Sequence, residues 1–358
     1  MQMGAKNICL ISAGLAGGGM ERSLTSLANS FAAQGHKVTI VNLFKTDIFF
    51  DLHPEINIIW PQIRRESMHR LLYALKLLPY LRREIGRLKP DVVLSFGEYF
   101  NAYVVLSLLG TRQRLFLSDR MGPLLKLGFP LDQANKVLYR FATGIIAQTQ
   151  AAKRIIEAKT KAKNITVVSN AVMPIDVSTL QKEKRVITVG RLSREKGHEV
   201  LLAAFARLSD SSWVLDIVGD GPKRKSLEEQ AQLLGIAERV IFHGHQKHFG
   251  ALLGRASVFV LPSYYEGFPN ALVEAMSVPL AVISSDCVAG PSEIITHGQD
   301  GLLFEPGNVD ALFDCLTALT GNENQRHDLA SNAFKVRERF AFELMSKKYL
   351  SILISDHA

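Results

Sequence analysis

The chain has 358 residues, enough for two domains of ordinary size, and its 47% hydrophobic and 21% charged residues describe a folded rather than a disordered protein. No apolar run is long enough to span a bilayer or serve as a signal peptide, and the three cysteines, Cys9, Cys287 and Cys315, are scattered without metal-ligand spacing. These features point away from membrane-spanning, secreted disulfide-bonded and zinc-binding classes, and toward a cytoplasmic protein with reduced thiols.

The first half opens with a short apolar strand, Ile8 to Ile11, then a glycine-rich turn, Gly14 to Gly19. A segment of helical period follows (Leu24, Leu27, Ala28, Phe31), stopped by Gly35, and a second strand covers Val38 to Val41. This is a βαβ opening. Residues 61–90 carry eight basic residues (Arg64, Arg65, Arg70, Lys76, Arg82, Arg83, Arg87, Lys89) against two acidic ones. Opposite many of them runs an apolar stripe of Leu71, Leu72, Leu75, Leu78, Leu81, Ile85 and Leu88, which Pro79 is expected to kink or divide. Further strands are expected at 92–96, 114–117, 144–147 and 165–168. The pattern then restarts with strands at 185–190, 213–218, 240–242, 258–261 and 280–283. Strands alternating with helices twice over predict two parallel-sheet α/β units: residues 1–175, residues 176–335, and a closing segment 336–358 that crosses back as a helix.

The charge divides along the same line. Residues 1–180 hold 23 basic against 12 acidic residues, whereas the whole chain is only +8, so the basic excess belongs to the first unit. Nucleic acid or an anionic membrane surface would suit it. No nucleic-acid motif or aromatic interleaving accompanies the patch, so residues 61–90 read either as a solvated helix face or, the favoured expectation, as a surface for an anionic membrane.

Chemistry concentrates in Ser263 to Met276. It follows the strand 258–261 and opens a helix near Asn270, a geometry that aims backbone N–H groups at an anion. Glu266 sits on the turn at the carboxyl ends of the strands. Glu274 lies four residues into the helix, where a carboxylate can accept the two hydroxyls of a ribose.

The paired acids in Glu266-Gly267-Phe268-Pro269-Asn270-Ala271-Leu272-Val273-Glu274 resemble the paired-glutamate motif of family 4 glycosyltransferases, which have the GT-B fold of two Rossmann-like domains facing across a cleft. Gly190-Arg191 and Lys196-Gly197 are similar to that family's GR…KG turn, and Gly219-Asp220-Gly221-Pro222 to its G-x-G-P turn. Val240 to Gly244 resembles its V-x-F-x-G strand, Gly301 to Phe304 its late G-L-L segment, and Gly17 to Arg22 its GG-x-E-R loop. Within the family the likeness is greatest to bacterial enzymes that extend lipid-linked oligosaccharides for O-antigen, capsule or protein glycosylation.

The resemblance implies a retaining, metal-independent transfer from a UDP-sugar, with no cofactor, to a glycan acceptor on a polyprenyl diphosphate at the inner face of the plasma membrane. An N-acetylhexosamine or galactose is the implied sugar. Arg191 and Lys196 would clamp the departing diphosphate in place of a metal ion, with help from the amides of Asn270, Ala271 and Leu272. Glu274 would hold the ribose; Glu266, with the amides of Gly267 and Phe268, would contact the transferred sugar. Gly190 and Gly244 belong to the same nucleotide-sugar pocket. In the first unit Gly18 and Gly19 would let the backbone approach phosphate or acceptor. Where many family members carry a histidine, this chain has Ser118-Asp119-Arg120, so Asp119 and Arg120 are the residues expected to take over those contacts.

Taken singly these residues have plain readings: a tight turn for Gly14 to Gly19, solvated charges for Arg191 and Lys196, a helix-surface acid for Glu274. Their joint occurrence reverses that. An NAD-dependent oxidoreductase would need G-x-G-x-x-G and an acid ending the second strand, and neither is present. A UDP-sugar epimerase on the same fold is the alternative; the acid pair and the basic first unit favour transfer. A non-enzymatic scaffold is disfavoured by the presence of all four charged residues.

Overall fold

The computed structural model describes residues 4–63, 69–172, 175, 181–246 and 248–355. Two compact units emerge, residues 1–170 with 343–358 and residues 171–342, against the expected division at 175/176 and 335/336.

The N-terminal unit carries strands β1 (Asn7–Ser12), β2 (Lys37–Asn42), β3 (Asn57–Ile59), β4 (Val92–Phe96), β5 (Leu115–Ser118), β6 (Gly144–Ala147) and β7 (Ile165–Val167). Its helices are α1 (Gly19–Ala33), α2 (Arg70–Leu88), α3 (Glu98–Leu108), α4 (Leu131–Leu138) and α5 (Gln150–Thr160). The strands form one parallel sheet in the order β3-β2-β1-β4-β5-β6-β7. Helix α1 shows how local sequence fixes an element. Leu24, Leu27, Ala28 and Phe31 bury one face, and the exit at Gly35 is closed by Gly35 N–H to Ala32 O (2.9 Å) and His36 N–H to Phe31 O (3.1 Å), a Schellman ending.

The C-terminal unit carries β8 (Arg185–Val189), β9 (Val214–Val218), β10 (Val240–Gly244), β11 (Val258–Leu261), β12 (Ala281–Ser285) and β13 (Leu302–Phe304). Its helices are α6 (His198–Phe205), α7 (Arg224–Leu233), α8 (Gly250–Arg255), α9 (Asn270–Met276), α10 (Pro291–Ile294), α11 (Val309–Gly321), α12 (Glu323–Ala333) and α13 (Val336–Arg339). The parallel order is β10-β9-β8-β11-β12-β13. Alternate strand residues feed two cores. Val186, Leu215, Val258 and Ile283 pack with Leu201, Phe205, Leu312 and Leu316, while Ile187, Val218, Phe259 and Val282 pack with Leu253, Leu272 and Met276. Burial on both faces explains why the strands read as continuous apolar runs. Helix α14 (Phe342–Ile354) then packs with the N-terminal unit, where Ser346 Oγ meets Ser30 Oγ at 2.7 Å.

The basic segment differs from its sequence reading. Of the expected membrane-facing stripe, Leu81 and Ile85 enter the core against Cys9, Val93 and Leu117, beside Tyr73, Leu77 and Tyr80, and Leu88 packs against it. Leu72 and Leu75 remain exposed. Pro79 lies inside one helix rather than dividing two. Arg87 pairs with the buried Glu84 at 2.8 Å, and Arg82 donates to Leu109 O at 2.9 Å, so part of the positive charge is used locally. Arg64 and Arg65 lie outside the described residues. Among the described residues no helix is long and apolar enough to cross a membrane.

Candidate active site

In the C-terminal sheet β8 and β11 are neighbours, and the helices that follow them, α6 and α9, pack on opposite faces. Such a switch point leaves a crevice at the carboxyl ends of the strands, where ligands bind in open α/β sheets. The chemistry-bearing loops converge there. The loop after β8 is braced by the turn after β9, through Leu192 N–H to Asp220 O (3.0 Å) and Lys223 N–H to Leu192 O (2.9 Å). It is tied to the loop after β11 by Tyr264 N–H to Glu195 O (2.8 Å).

Two glycines allow this close packing. A Cβ on Gly197 (φ +61°) would sit 2.2 Å from Pro262 O, and one on Gly219 (φ +140°) 1.9 Å from Gly190 O. Gly219 N–H also donates to Gly244 O at 2.9 Å, so Gly190, Gly219 and Gly244 meet at the ends of β8, β9 and β10.

Lys196 and Glu266 face each other across the loops. Lys196 Nζ donates to both carboxylate oxygens, at 2.7 and 2.9 Å, and Ser263 Oγ donates to Glu266 Oε1 at 2.7 Å. Ser263 is itself held by Ser285 Oγ at the end of β12, 2.5 Å from Ser263 O. Glu266 is buried and Lys196 half-buried, so the pair sits in a partly dried environment where each charge depends on the other. Arg191 is exposed on the same loop, and Glu274 is half-buried one turn into α9. Two acids and two bases expected from the sequence thus lie on the loops and helix bordering one crevice, with Lys196 engaged by Glu266 rather than standing open.

The start of α9 is less open than expected. Asn270 N–H donates to Phe268 O (2.8 Å) and Leu272 N–H to Pro269 O (3.0 Å), so two of the three amides assigned to an anion are committed within the turn. The ring of Phe268 is buried and packs edge-on against Phe340, with centroids 5.8 Å apart. Gly267 is half-buried beside it.

Sequence reasoning missed Ser263, whose role depends on contact with a residue three positions on, and His198. His198 opens α6 fully buried, and among the described residues neither ring nitrogen has a hydrogen-bond partner. Burial, with Lys196 nearby, lowers the imidazole to about 4, so it is neutral at ordinary pH. The Lys196-Gly197-His198 run was readable, but a lone histidine is not distinctive. Among the described residues no cluster of three or more His, Cys, Asp or Glu could hold a metal ion.

In the N-terminal unit Gly18 and Gly19 begin α1; a Cβ on Gly18 would meet the Glu21 carboxylate, whereas Gly19 faces open space. Asp119 and Arg120 follow β5 and point into their own unit. Arg120 donates to Tyr349 Oη (2.9 Å) and to Asn170 Oδ1, and lies over the Phe96 ring. These contacts join the end of β5 to α14 and to Asn170, so the guanidinium expected to contact sugar or acceptor also holds its own unit together. Burial and the adjacent Glu98 push the Asp119 carboxyl well above the usual range.

Comparison with known proteins covers nearly the whole chain. Residues 17–174 match the family model described as Glycosyltransferase Family 4, and residues 175–336 that described as Glycosyl transferases group 1. An uncharacterised glycosyltransferase of Methanocaldococcus jannaschii is 31% identical over 67% of this chain and 70% of its own. An α-1,4-N-acetyl-D-galactosaminyltransferase of Campylobacter jejuni, named for an undecaprenol-PP-linked GalNAc substrate, is 27% identical over 97% of this chain and 98% of its own. The Anabaena protein HepE, solved with UDP and glucose, superposes with a TM-score of 0.79 at 18% identity, covering 98% of this chain and all of its own (100%).

Proposed function

The chain belongs to glycosyltransferase family 4, and from that premise we propose that it transfers a sugar from a UDP-sugar to a glycan acceptor with retention of anomeric configuration. The observation that carries this reading is the Lys196–Glu266 pair at the β8/β11 crevice, with Arg191 on the same loop. An incoming diphosphate would compete with Glu266 for the Lys196 ammonium. The exchange would put a cation on the leaving group and release a carboxylate to accept hydroxyls of the transferred sugar. Arg191 would supply the second charge, and together they would stabilise the negative charge that grows as the glycosidic bond breaks. That arrangement makes a divalent metal unnecessary. Glu274 would accept the ribose hydroxyls. Glu266 is a positioning group for the sugar, and no covalent intermediate is assigned to it.

An N-acetylhexosamine or galactose is the proposed sugar and a polyprenyl-diphosphate-linked glycan the proposed acceptor, in bacterial surface-polysaccharide or lipid-linked glycan assembly; the name of the Campylobacter relative supports both, and the UDP complex of HepE supports the nucleotide. Docking at the inner face of the plasma membrane would use the exposed part of α2, with Leu72, Leu75, Lys76, Arg82 and Arg83. Each basic residue near an anionic surface contributes about 1 kcal/mol. Sedimentation with anionic and neutral liposomes tests this part: equal binding to both, or no effect of changing Lys76, Arg82 and Arg83 to Glu, removes α2 from it.

The decisive experiment for the donor is a thermal-shift series with UDP-, GDP- and ADP-sugars. A ligand at 100 times its Kd raises stability by about 2.7 kcal/mol. UDP-sugars are expected to raise Tm, and Lys196→Met to abolish the rise. A rise only with GDP- or ADP-sugars overturns the nucleotide. A product of inverted anomeric configuration, read from its anomeric coupling constant, overturns retention.

A further inference from the structure

Lys196 closes a single turn, Arg194–Lys196, that ends on Gly197 in the left-handed region (φ +61°). Three consecutive residues after β11 bear on this turn and on its ion pair. Pro262 O lies against Gly197, Ser263 Oγ donates to the Glu266 carboxylate at 2.7 Å, and Tyr264 N–H donates to Glu195 O at 2.8 Å. The last bond is made by the main chain, so any residue except proline could form it at position 264. What the Tyr264 side chain adds is separate.

Its ring lies with opposite edges against two glycines. A Cβ on Gly197 would sit 3.6 Å from Cε2, and a Cβ on Gly307 would sit 3.0 Å from Cε1. Gly307 (φ +79°) belongs to the loop between β13 and α11. The ring therefore joins the turn that carries Lys196 to a loop at the far edge of the sheet. Neither glycine has a side chain to take the ring's place, and both stand at φ values that resist one. Burial, then the neighbouring Glu199 carboxylate on α6, raise the phenol above its ordinary value, so the hydroxyl stays protonated beside an acceptor. Tyr264 remains 37% exposed, so the ring is held at the loops rather than sunk in the core.

The exchange proposed above takes the Lys196 ammonium from Glu266 to a diphosphate. It needs a side chain that moves on a main chain that does not, because donors already in place require no reorganisation as charge develops. A misplacement of about 1 Å is enough to cost a catalytic contact roughly 10²-fold. We propose that Tyr264 is a positioning residue of the donor site: its ring, held between Gly197 and Gly307, fixes the turn from which Lys196 reaches both Glu266 and the diphosphate. The assignment rests on the transferase reading above and adds to it a residue that acts through Lys196 rather than on the donor itself.

The test uses the full chain with lysine labelled with ¹³C at Cε, the Lys196 signal being assigned by its loss in Lys196→Met. Without any ligand, Tyr264→Ala is expected to shift that signal, and Tyr264→Phe, which keeps the ring, to leave it in place. Tyr264→Leu, with apolar bulk but no flat ring, is expected to shift it too, and serves if the alanine variant does not fold. UDP affinity is then measured by calorimetry. Tyr264→Ala is expected to weaken UDP about 10-fold through the misplaced charge-assisted contact, and Tyr264→Phe to bind as the native chain does. In the Lys196→Met background Tyr264→Ala is expected to cost nothing further. The inference is overturned if Tyr264→Ala leaves the Lys196 signal unmoved, if phenylalanine loses as much affinity as alanine, or if the alanine loss is the same with and without Lys196. UDP that does not bind the native chain counts against the donor reading alone, because the Lys196 signal is scored without ligand.

Discussion

At the ends of β8 and β11 the C-terminal unit sets Arg191, Lys196 and Glu266 on loops held by backbone hydrogen bonds, with Glu274 on the following helix. At the matching switch point of the N-terminal sheet, between β1 and β4, a Cβ on Gly17 would touch the Phe49 ring, one on Gly97 the Met20 sulfur and one on Gly18 the Glu21 carboxylate. Glu98, directly after β4, accepts the backbone N–H groups of Arg120 and Met121 after β5, Arg120 donates to Tyr349, and Asp119 lies beside Glu98. One architecture thus serves two purposes. One set of strand ends presents charge to a crevice; the other uses Glu98, Asp119 and Arg120 to join its own elements.

The comparison breaks most decisively at Lys196. Lys196→Met is expected to lower turnover on the order of 10²-fold or more, as loss of a preorganised donor does elsewhere. Because Lys196 and Glu266 act as a pair, the double variant with Glu266→Gln is expected to lose far less than the product of the two single losses. Near-normal turnover of both Lys196→Met and Arg191→Ala would show that charge at this edge is ornamental. Gly197→Ala separates loop geometry from charge. A left-handed φ alone costs about 1–2 kcal/mol, the cost expected at Gly298 (φ +77°), which has nothing within 4 Å. At Gly197 the Pro262 carbonyl must also move, so denaturant unfolding is expected to show a loss of roughly 3 kcal/mol or more. Equal losses at the two glycines would mean that the loops are not tightly joined.

His198 sharpens the comparison through pH. Its folded pKa of about 4 lies below the ordinary 6.5, so on acidification the unfolded chain takes up a proton that the folded chain refuses. The penalty is absent above pH 6.5, grows as pH falls, and is complete below about 4, reaching roughly 2 kcal/mol by pH 5. His198→Phe is expected to flatten the stability profile between pH 7 and 5, and an unchanged slope would sink the assignment. Arg120→Lys keeps the charge but loses the forked contacts to Tyr349 and Asn170, with an expected loss of about 1 kcal/mol and no change in UDP affinity. A large change in UDP affinity would mean that the N-terminal network reaches the donor. The smallest expected effect is none at all: EDTA should leave turnover unchanged, and activity restored only by Mn²⁺ would contradict the two-cation reading.

What could be read from the sequence follows the same contrast. Both parallel sheets were legible because strands buried on two faces must be apolar throughout, as at Val258–Leu261. Glu266, Glu274, Arg191 and Lys196 could be singled out from the sequence because their spacing resembles the paired-glutamate and GR…KG motifs of a known family, and the structure places them on the loops and helix after β8 and β11. Two of the α9 amides were misread because only the turn geometry shows that Asn270 and Leu272 bond internally. The intra-unit contacts of Arg120 were not legible for a related reason: its partners, Asn170 and Tyr349, lie far along the chain, and no local pattern announces them. The stripe of residues 71–88 was half misread, since helical period marks an apolar face without saying whether protein or lipid will cover it.

The return of α14 to the N-terminal unit bears on the order of assembly during synthesis. Residues 171–342 form one contiguous unit, complete as soon as that stretch has left the ribosome. The N-terminal unit is begun first but lacks Tyr349, the partner of Arg120, and Ser346, the partner of Ser30, until the whole C-terminal unit has been made. The half that emerges first is therefore the last to find all its contacts.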